Sequence, residues 1–421
     1  MPSKDSTKTF FTKMRRTLRR VSCFVLVLAF ALPSPVLGKD EKPVIHAGYR
    51  TLASSLPSER LMLHMGVWYP TLRRPSAVKV GNWSFRAARN APIHNGPWPV
   101  IILSHDITGD AWAHHHLAAS LARRGFIVAA PTHDHDNAED MRMLWADREL
   151  PLRAVQLRAA LDVVLEHKQI GPQADVRRVG YLGFGLTAPA GLLLAGASLN
   201  PDGWQTFVEK QNARTDVAQS PWLKPFVKER MDALVDSMRR RAEERQEKTA
   251  MMHRANESRH KLFQRLEDST TRTHQRQMRL AKVVDIPCPP AMLPLLPPLS
   301  HDRALADSRF KALALISPGF AMLFSRQSLL EVREPVFLAG AGKDGFNLPK
   351  EQAEALRDML PQRPYYLLLP EADMASFHAP TPASDAAKAL GGIYGNTSRS
   401  PVSHADLLDA LQRFFEHSLA K

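Results

Sequence analysis

The residues most suggestive of chemistry lie where a predicted strand, 176–182, turns sharply into a predicted helix. The turn reads Gly183-Phe184-Gly185-Leu186-Thr187. A strand–turn–helix with the pattern G-x-S-x-G exposes a nucleophilic serine in many enzymes that attack carbonyl groups. Gly185 stands at the position of that serine. Because glycine has no side-chain atom that can attack a carbonyl, acyl-enzyme catalysis from this position is excluded.

Glycine at this position is physically coherent. Such a turn forces its central residue into a strained backbone conformation, which glycine adopts freely because it has no Cβ. The sharp turn can therefore persist after the nucleophile is lost.

Alternating strands and helices surround this turn. Short apolar runs bounded by Gly or Pro predict buried strands, and apolar residues at helical spacing predict the helices between them. This alternation predicts an α/β fold with a doubly wound, mostly parallel sheet. The strands are predicted at 61–69, 98–103, 126–130, 176–182, 312–316, 336–339 and 365–369, and the helices at 113–124, 152–167, 188–197, 351–359 and 407–417.

The alternation is interrupted between 202 and 300. From 224 to 282 the chain is rich in Arg, Glu, Gln and Met, which favours one or two long amphipathic helices, and a proline-rich stretch follows at 287–298. We therefore predict an α/β domain in two parts, 39–201 and 301–421, with a helical cap or insertion at 202–300.

Residues 1–38 have the features of an export signal. Five cations between 13 and 20 precede an apolar run at 23–32, and small residues follow before Lys39. The apolar run is shorter than the about 20 residues that a membrane span needs. We expect export to the periplasm or the medium, with an uncleaved membrane anchor as the alternative. Cys23 would leave with the signal, so Cys288 would have no disulfide partner within the chain.

The chain is basic, with a formal net charge of +14. No run interleaves Arg and Lys with aromatic residues, so no nucleic-acid partner is expected. The basic helical insertion could contact an anionic membrane surface or a protein partner. The alternative is a solvated helical hairpin that packs on the domain.

Four passages, in this order along the chain, resemble the dienelactone hydrolase and platelet-activating-factor acetylhydrolase branch of the α/β hydrolases. They are VWYP at 67–70, VIILSH at 100–105, GFIVAAPTH at 125–133 and ALALISPGF at 312–320. The resemblance runs from about residue 49 to 379, interrupted by the insertion. It implies the α/β-hydrolase fold and a carboxylic-ester or lactone hydrolase ancestry.

The resemblance also assigns the other catalytic positions. Gly183 matches the first glycine of the turn, and Thr187 replaces the last one. Asp344 matches the acid of the family. Met374 stands on the family's histidine in a straight alignment, and His378 could replace that histidine only if its loop folds differently.

A further departure concerns the loop that lends its backbone N–H groups to the oxyanion. The family has glycine after Ser-His, whereas Asp106 follows His105 here. A carboxylate at this place would repel the negative charge that develops on the substrate oxygen. These departures together indicate a degenerate hydrolase site.

The ends of the strands should meet in a crevice beside Gly185. Because His and Asp crowd these ends, a zinc-like site is one hypothesis, with candidate ligands His105, His133 and His135. The alternative is that His105 and His133 are inherited from the family without a metal. No cofactor is expected. The predicted crevice-lining residues are His105, Asp106, His133, Phe184, Leu186 and Met374.

The sequence therefore favours an exported, catalytically degenerate hydrolase-fold protein that binds a small-molecule ligand or a protein partner. The alternative is an active ester or lactone hydrolase with a non-standard nucleophile or a metal-bound water. Ser104 and Ser317 are the hydroxyls to weigh, although loop hydrogen bonds are the simpler role for both. A third possibility is an interaction protein whose insertion is the functional part.

Overall fold

Most of the chain builds one large mixed sheet. The computed structural model describes residues 43–56, 61–107, 109–213, 220–273, 305–379 and 401–420. The strands in these ranges are β1 (His46–Leu56), β2 (Leu61–Thr71), β3 (Ser76–Val80), β4 (Trp83–Arg89), β5 (Trp98–Ser104), β6 (Ile127–Thr132), β7 (Ala174–Phe184), β8 (Phe310–Ile316), β9 (Val336–Ala341) and β10 (Tyr365–Leu369).

The strand order is β10-β9-β8-β7-β5-β6-β2-β1-β4-β3. Six adjacent strands, β10, β9, β8, β7, β5 and β6, are parallel to one another. Next to them, β2 pairs with β6 in the antiparallel direction. The carboxyl ends of the parallel strands therefore share one edge, with β7 in the middle. The predicted mostly parallel α/β sheet is confirmed.

Helices cover both faces of the sheet. They are α1 (His115–Arg123), α2 (Glu149–Glu166), α3 (Ala190–Leu194), α4 (Asp202–Asn212), α5 (Pro225–Thr273), α6 (Ala353–Met359) and α7 (Pro401–Ser418). Residues of α2 and α3 enter one buried apolar cluster, and residues of α1 and α7 enter another that contains alternate residues of the same strands. Successive side chains of a strand point to opposite faces, so two separate cores are expected.

Three strands were not predicted. β1 pairs with β2 over its whole length, and β3 and β4 form a short hairpin that extends the same edge. The hairpin strands carry Lys79 and Arg86 on exposed positions and bury few apolar residues. Their local pattern is therefore too weak to stand out from a loop.

The predicted insertion, 202–300, contributes to the buried core through its first part. The buried cluster that contains helix α3 also contains four residues of α5: Val227, Met231, Leu234 and Val235. Further along the same helix, Met251 and Met252 are exposed. The start of α5 is thus packed as a structural helix. The predicted proline-rich stretch and the predicted export signal both lie outside the described residues.

In the ranges given above, no helix combines the length and the apolar character that a membrane crossing requires.

Candidate active site

The turn after β7 has the geometry of a nucleophile elbow. β7 ends at Phe184, a 3₁₀ turn spans Gly185–Thr187, and α3 follows directly. Gly185 has a φ of +64°, in the region that L-residues rarely adopt. The sequence prediction of a sharp turn centred on this glycine therefore agrees with its backbone conformation.

The carboxylate of Asp106 lies against this turn. Its Oδ1 accepts a hydrogen bond of 2.9 Å from the backbone N–H of Leu186. A Cβ added to Gly185 would lie 2.1 Å from Asp106 Cγ and 2.2 Å from Oδ2. The carboxylate thus fills the space in which the side chain of residue 185 would begin.

This position has a chemical consequence. In hydrolases with this elbow, the N–H of the residue after the nucleophile is one donor of the oxyanion hole. Here that donor is the N–H of Leu186, and it is already bound to an acidic side chain. The sequence predicts repulsion of a developing oxyanion by Asp106. The structure adds that Asp106 accepts the hydrogen bond of the Leu186 N–H, the group that would otherwise bind the oxyanion.

A buried arginine holds the loop that carries Asp106. Arg153 of α2 is 1% exposed, donates to the backbone oxygen of His105, and forms an ion pair of 2.5 Å with Asp136. The carboxyl of Glu149, one helical turn before Arg153, is also buried. Burial, followed by the nearby charge of Asp136, raises the pKa of Glu149 well above its ordinary value. This cluster keeps the β5 loop, which follows β5 and contains His105 and Asp106, against the elbow.

Two of the predicted histidines form a hydrogen-bonded chain below the elbow. His133 Nε2 lies 2.9 Å from Ser104 Oγ, and His133 Nδ1 lies 2.7 Å from Gln156 Oε1. His105 accepts the N–H of His133 and bonds the backbone oxygen of Asp106. Burial, and then the charge of Arg153, hold the pKa of both histidines well below the ordinary range. Both rings are therefore neutral.

Asp344 serves its own loop. Oδ2 accepts from Ser317 Oγ at 2.7 Å, and Oδ1 accepts from the backbone N–H groups of Phe346 and Asn347. Burial raises the pKa of this carboxyl. Among the described residues, these three donors account for its hydrogen bonds, and none of them belongs to a histidine. Asp344, the predicted acid, is thus a loop-fixing residue in this conformation.

His378 follows the 3₁₀ turn Met374–Phe377, which Asp373 caps with a hydrogen bond to the N–H of Ser376. The ring of His378 lies 4.8 Å from that of His114, which stacks on Phe184 with a centroid distance of 3.7 Å. The structure therefore places His378 close to the elbow. Asp344 instead forms its hydrogen bonds with Ser317 and its own loop. Met374, which stands on the family's histidine, is buried in the core.

The predicted crevice is closed in the described structure. His105, Asp106, His133, Phe184, Leu186 and Met374 are each at most 2% exposed. A cavity of about 770 Å³ lies elsewhere in the protein, and none of these residues lines it.

The three predicted metal ligands do not come together. The ring nitrogens of His105 and His133 are all engaged in the hydrogen bonds described above. His135 does lie with Asp134 and Asp140 in a group whose ligand atoms are within 4.8 Å of one another. Arg142, however, donates to both Asp140 and His135 at 2.7 Å. A guanidinium in this place opposes a second cation.

Sequence reasoning missed the residues that hold this site together. Arg153 and Gln156 lie three positions apart on α2 and are both buried beside Leu157 and Ala160. Two polar residues on the apolar stripe of a helix signal a buried polar partner. That partner proved to be the β5 loop and His133, which the sequence alone does not place next to α2.

Comparison with known proteins agrees with this architecture. Residues 64–158 match the family model of platelet-activating factor acetylhydrolase, isoform II. A ferulic acid esterase from Streptomyces cinnamoneus is similar in structure, with a TM-score of 0.51 and 16% identity over 91% of this chain and 93% of that one. A dienelactone hydrolase from Anabaena variabilis gives a TM-score of 0.40 and 10% identity, over 88% and 98%. No curated protein sequence matches the chain.

The sheet order, the elbow after β7 and the similarity to the ferulic acid esterase define the α/β-hydrolase fold. The match to the platelet-activating factor acetylhydrolase model agrees with the resemblance that the sequence predicts, over residues 64–158 of the chain. That match extends from β2 into α2 and so includes Asp106, whereas Gly185 lies beyond it.

Proposed function

We propose that this protein has lost serine-dependent ester hydrolysis and acts by binding a ligand. The observation that carries this proposal is the hydrogen bond of 2.9 Å between the N–H of Leu186 and the carboxylate of Asp106. The carboxylate occupies both the oxyanion donor and the space beside Gly185 from which a nucleophile would act.

Two independent deficits support the proposal. Gly185 has no side chain with which to form an acyl-enzyme. The second deficit is electrostatic, because a preorganised N–H donor is worth about 10²–10³ in rate and here it faces a carboxylate. The hydrogen bonds of Asp344 to Ser317 and to its own loop also leave the acid without the role of orienting a catalytic histidine.

Turnover of short-chain p-nitrophenyl esters tests the proposal. The parent protein, Gly185→Ser and the double variant Asp106→Gly/Gly185→Ser would be compared. We expect no turnover by the parent or by the single variant, because the carboxylate of Asp106, although displaced by the new Cβ, still lies beside the elbow and opposes a developing oxyanion. Turnover that appears only in the double variant would show that these two positions account for the loss. Turnover by the parent that disappears in His378→Ala, or with a chelator, would contradict the proposal.

One observation favours the alternative of an active hydrolase with a different nucleophile. Ser104, His133 and Gln156 form a hydroxyl–imidazole–amide chain with distances of 2.9 and 2.7 Å. This is the order of nucleophile, base and orienting group that activates a serine. Against it, all three side chains are at most 1% exposed, and Arg153 donates to the same Ser104 Oγ at 3.2 Å.

The Ser104→Ala variant discriminates between the two functions. If the alternative holds, the parent hydrolyses the ester and this variant is inactive although it remains folded. If the hydrogen-bonded row of Ser104, His133 and Gln156 is only structural, the parent is already inactive, and the Ser104→Ala variant changes only the thermal stability.

We further propose that the chain is exported. The basic residues at 13–20, the apolar run at 23–32 and the small residues before Lys39 support this. Mass spectrometry of the protein recovered from the outer cell fraction should show an N-terminus near residue 39. Recovery of only the full-length chain from the cytoplasm would contradict export.

A further inference from the structure

A sizeable cavity lies between the inserted helix α4, the helix α6 and the turn that follows β8. Its volume is about 770 Å³. This volume falls within the range of about 300–1,000 Å³ that is usual for small-molecule sites. The elbow residues Gly185 and Leu186 do not line it, so it is separate from the site described above.

The apolar wall of the cavity is fixed by the packing of α4. Trp204 is buried and donates from its indole N–H to Asp232 of α5 at 2.7 Å. Phe207 stacks on Trp204, with ring centroids 5.7 Å apart, and faces the cavity one helical turn along. Gly203 allows the backbone of α4 to approach Met322, since a Cβ there would meet the Met322 oxygen at 2.1 Å. The wall is therefore preformed.

The opposite wall continues this apolar surface. Phe324 and Met322 come from the turn after β8, and Ala355 and Met359 come from α6 at a spacing of four residues. Residues four apart lie on one face of a helix, so both side chains of α6 border the same space. The interior of the cavity is thus suited to a hydrocarbon chain.

The charged residues of the lining are mostly cationic. Lys210, Arg326 and Lys350 are exposed residues of the lining, and Glu351 is its one carboxylate. The oxygens of Glu351 are occupied, since Gln211 donates to Oε1 at 3.0 Å and Ser220 donates to Oε2 at 2.6 Å.

With three cationic side chains and one carboxylate, the lining of the cavity carries a net positive charge, although the Asp358 carboxylate outside the lining also interacts with Arg326. Arg326 also donates to the backbone oxygen of Asp358 at 2.8 Å, which holds its guanidinium at this edge. An anionic group is the complement of such a lining.

We propose that this cavity binds a single-chain amphiphile with an anionic head group, with dodecanoate as the representative probe. The head group would lie among Lys210, Arg326 and Lys350, and the chain would lie against Phe207, Phe324 and Met359. This inference rests on the proposed ligand-binding function, for which it supplies the place and the ligand class.

Calorimetric titration of the full chain with dodecanoate, below the concentration at which the amphiphile aggregates, tests the proposal. Dodecanol, which has the same chain length and no charge, is the matched probe. We expect saturable binding of one dodecanoate per chain, and binding of dodecanol that is at least tenfold weaker. No saturable binding of dodecanoate, or equal binding of both probes, would overturn the proposal.

Two sets of variants locate the binding. Lys210→Gln/Arg326→Gln/Lys350→Gln should weaken dodecanoate about tenfold and dodecanol less than twofold. The charge-matched control, which replaces exposed residues of the sheet, should leave both unchanged. An equal loss in the control would overturn the assignment. The control substitutions are Lys79→Gln, Arg86→Gln and Lys311→Gln.

Filling the cavity gives a second, independent test. Ala355→Trp should abolish binding of both probes, and unchanged dodecanoate binding in a folded Ala355→Trp protein would overturn the proposal. If this variant does not fold, the surface charge variants decide the question. Ester turnover by the parent would contradict only the proposed function. An inactive parent that does not bind dodecanoate would contradict only the cavity assignment.

Discussion

Introducing a serine at Gly185 should destabilise the protein. The replacement Gly185→Ser places a Cβ where Asp106 Cγ is 2.1 Å away, on a backbone with a φ of +64°. The side chain of Asp106 must therefore leave its position, and its hydrogen bond to the N–H of Leu186 must break.

The magnitude follows from two contributions. The left-handed backbone costs a non-glycine residue about 1–2 kcal/mol. Loss of a buried hydrogen bond to a charged group costs a further ~1.5–3 kcal/mol. The sum is ~2.5–5 kcal/mol. For the compact unit Ile45–Lys421, with an unfolding entropy of about 2.1 cal/mol/K per residue, this lowers the melting temperature by roughly 3–6 °C.

Differential scanning calorimetry at neutral pH measures the change, with Gly81→Ser as the matched control. Gly81 also has a positive φ, +53°, but nothing lies within 4 Å of the Cβ that it would acquire. The control should therefore show the backbone cost alone, about 1–2 kcal/mol. The double variant Asp106→Gly/Gly185→Ser should be more stable than the sum of its single variants predicts, because the clash requires both residues.

Equal losses of stability in Gly185→Ser and Gly81→Ser would refute the reasoning. That result would mean that no carboxylate lies against the elbow in solution. The claim that Asp106 occupies the Leu186 N–H would then lose its support. Additive behaviour of the double variant would refute it in the same way.

Three further predictions concern the buried groups. Glu149→Gln should raise the free energy of unfolding by about 1–3 kcal/mol at pH 7. The stability gained by this variant should shrink toward pH 4. In the parent, the pKa of Glu149 is raised in the folded state, so the protonated side chain stabilises the protein below the unfolded pKa of about 4.3, and this stabilisation is lost as the pH rises. A gain that grows on acidification would contradict this reasoning. Arg153→Met leaves Asp136 buried without its cation and should cost ~3–5 kcal/mol in urea unfolding, whereas a cost below 1 kcal/mol would show that the ion cluster does not hold the β5 loop. Met231→Ala in α5 should cost ~2–5 kcal/mol and the exposed Met251→Ala almost nothing in thermal unfolding, and equal small effects would mean that the start of the insertion is not part of the core.

Much of the fold was predictable because its signals are local. The apolar runs at 98–103, 126–130 and 312–316 correspond to β5, β6 and β8 within a few residues, since strands buried on both faces need continuous apolar sequence. β1, β3 and β4 were missed because their stability depends on pairing with neighbours. The sequence also predicts helices between 202 and 300, but their apolar positions do not reveal which helix packs into the core.

The candidate site divides along the same line. The glycine at 185 and the acid at 106 are visible in the sequence, and the absence of a nucleophile at the elbow follows from chemistry alone. Their mutual position is not visible, since they lie 79 positions apart in the sequence and follow two different strands. Only the parallel pairing of β5 with β7 places the end of one strand beside the end of the other.

The amino-acid sequence by itself therefore determined the class of fold, the sharp turn and the absence of a serine at its centre, because each of these depends on neighbouring residues. The tertiary structure alone decided that Asp106 binds the N–H of Leu186, that Arg153 supports the loop, and that Asp344 and His378 have separate surroundings. Long-range contacts of this kind are set by strand order and helix packing, which no short stretch of sequence encodes.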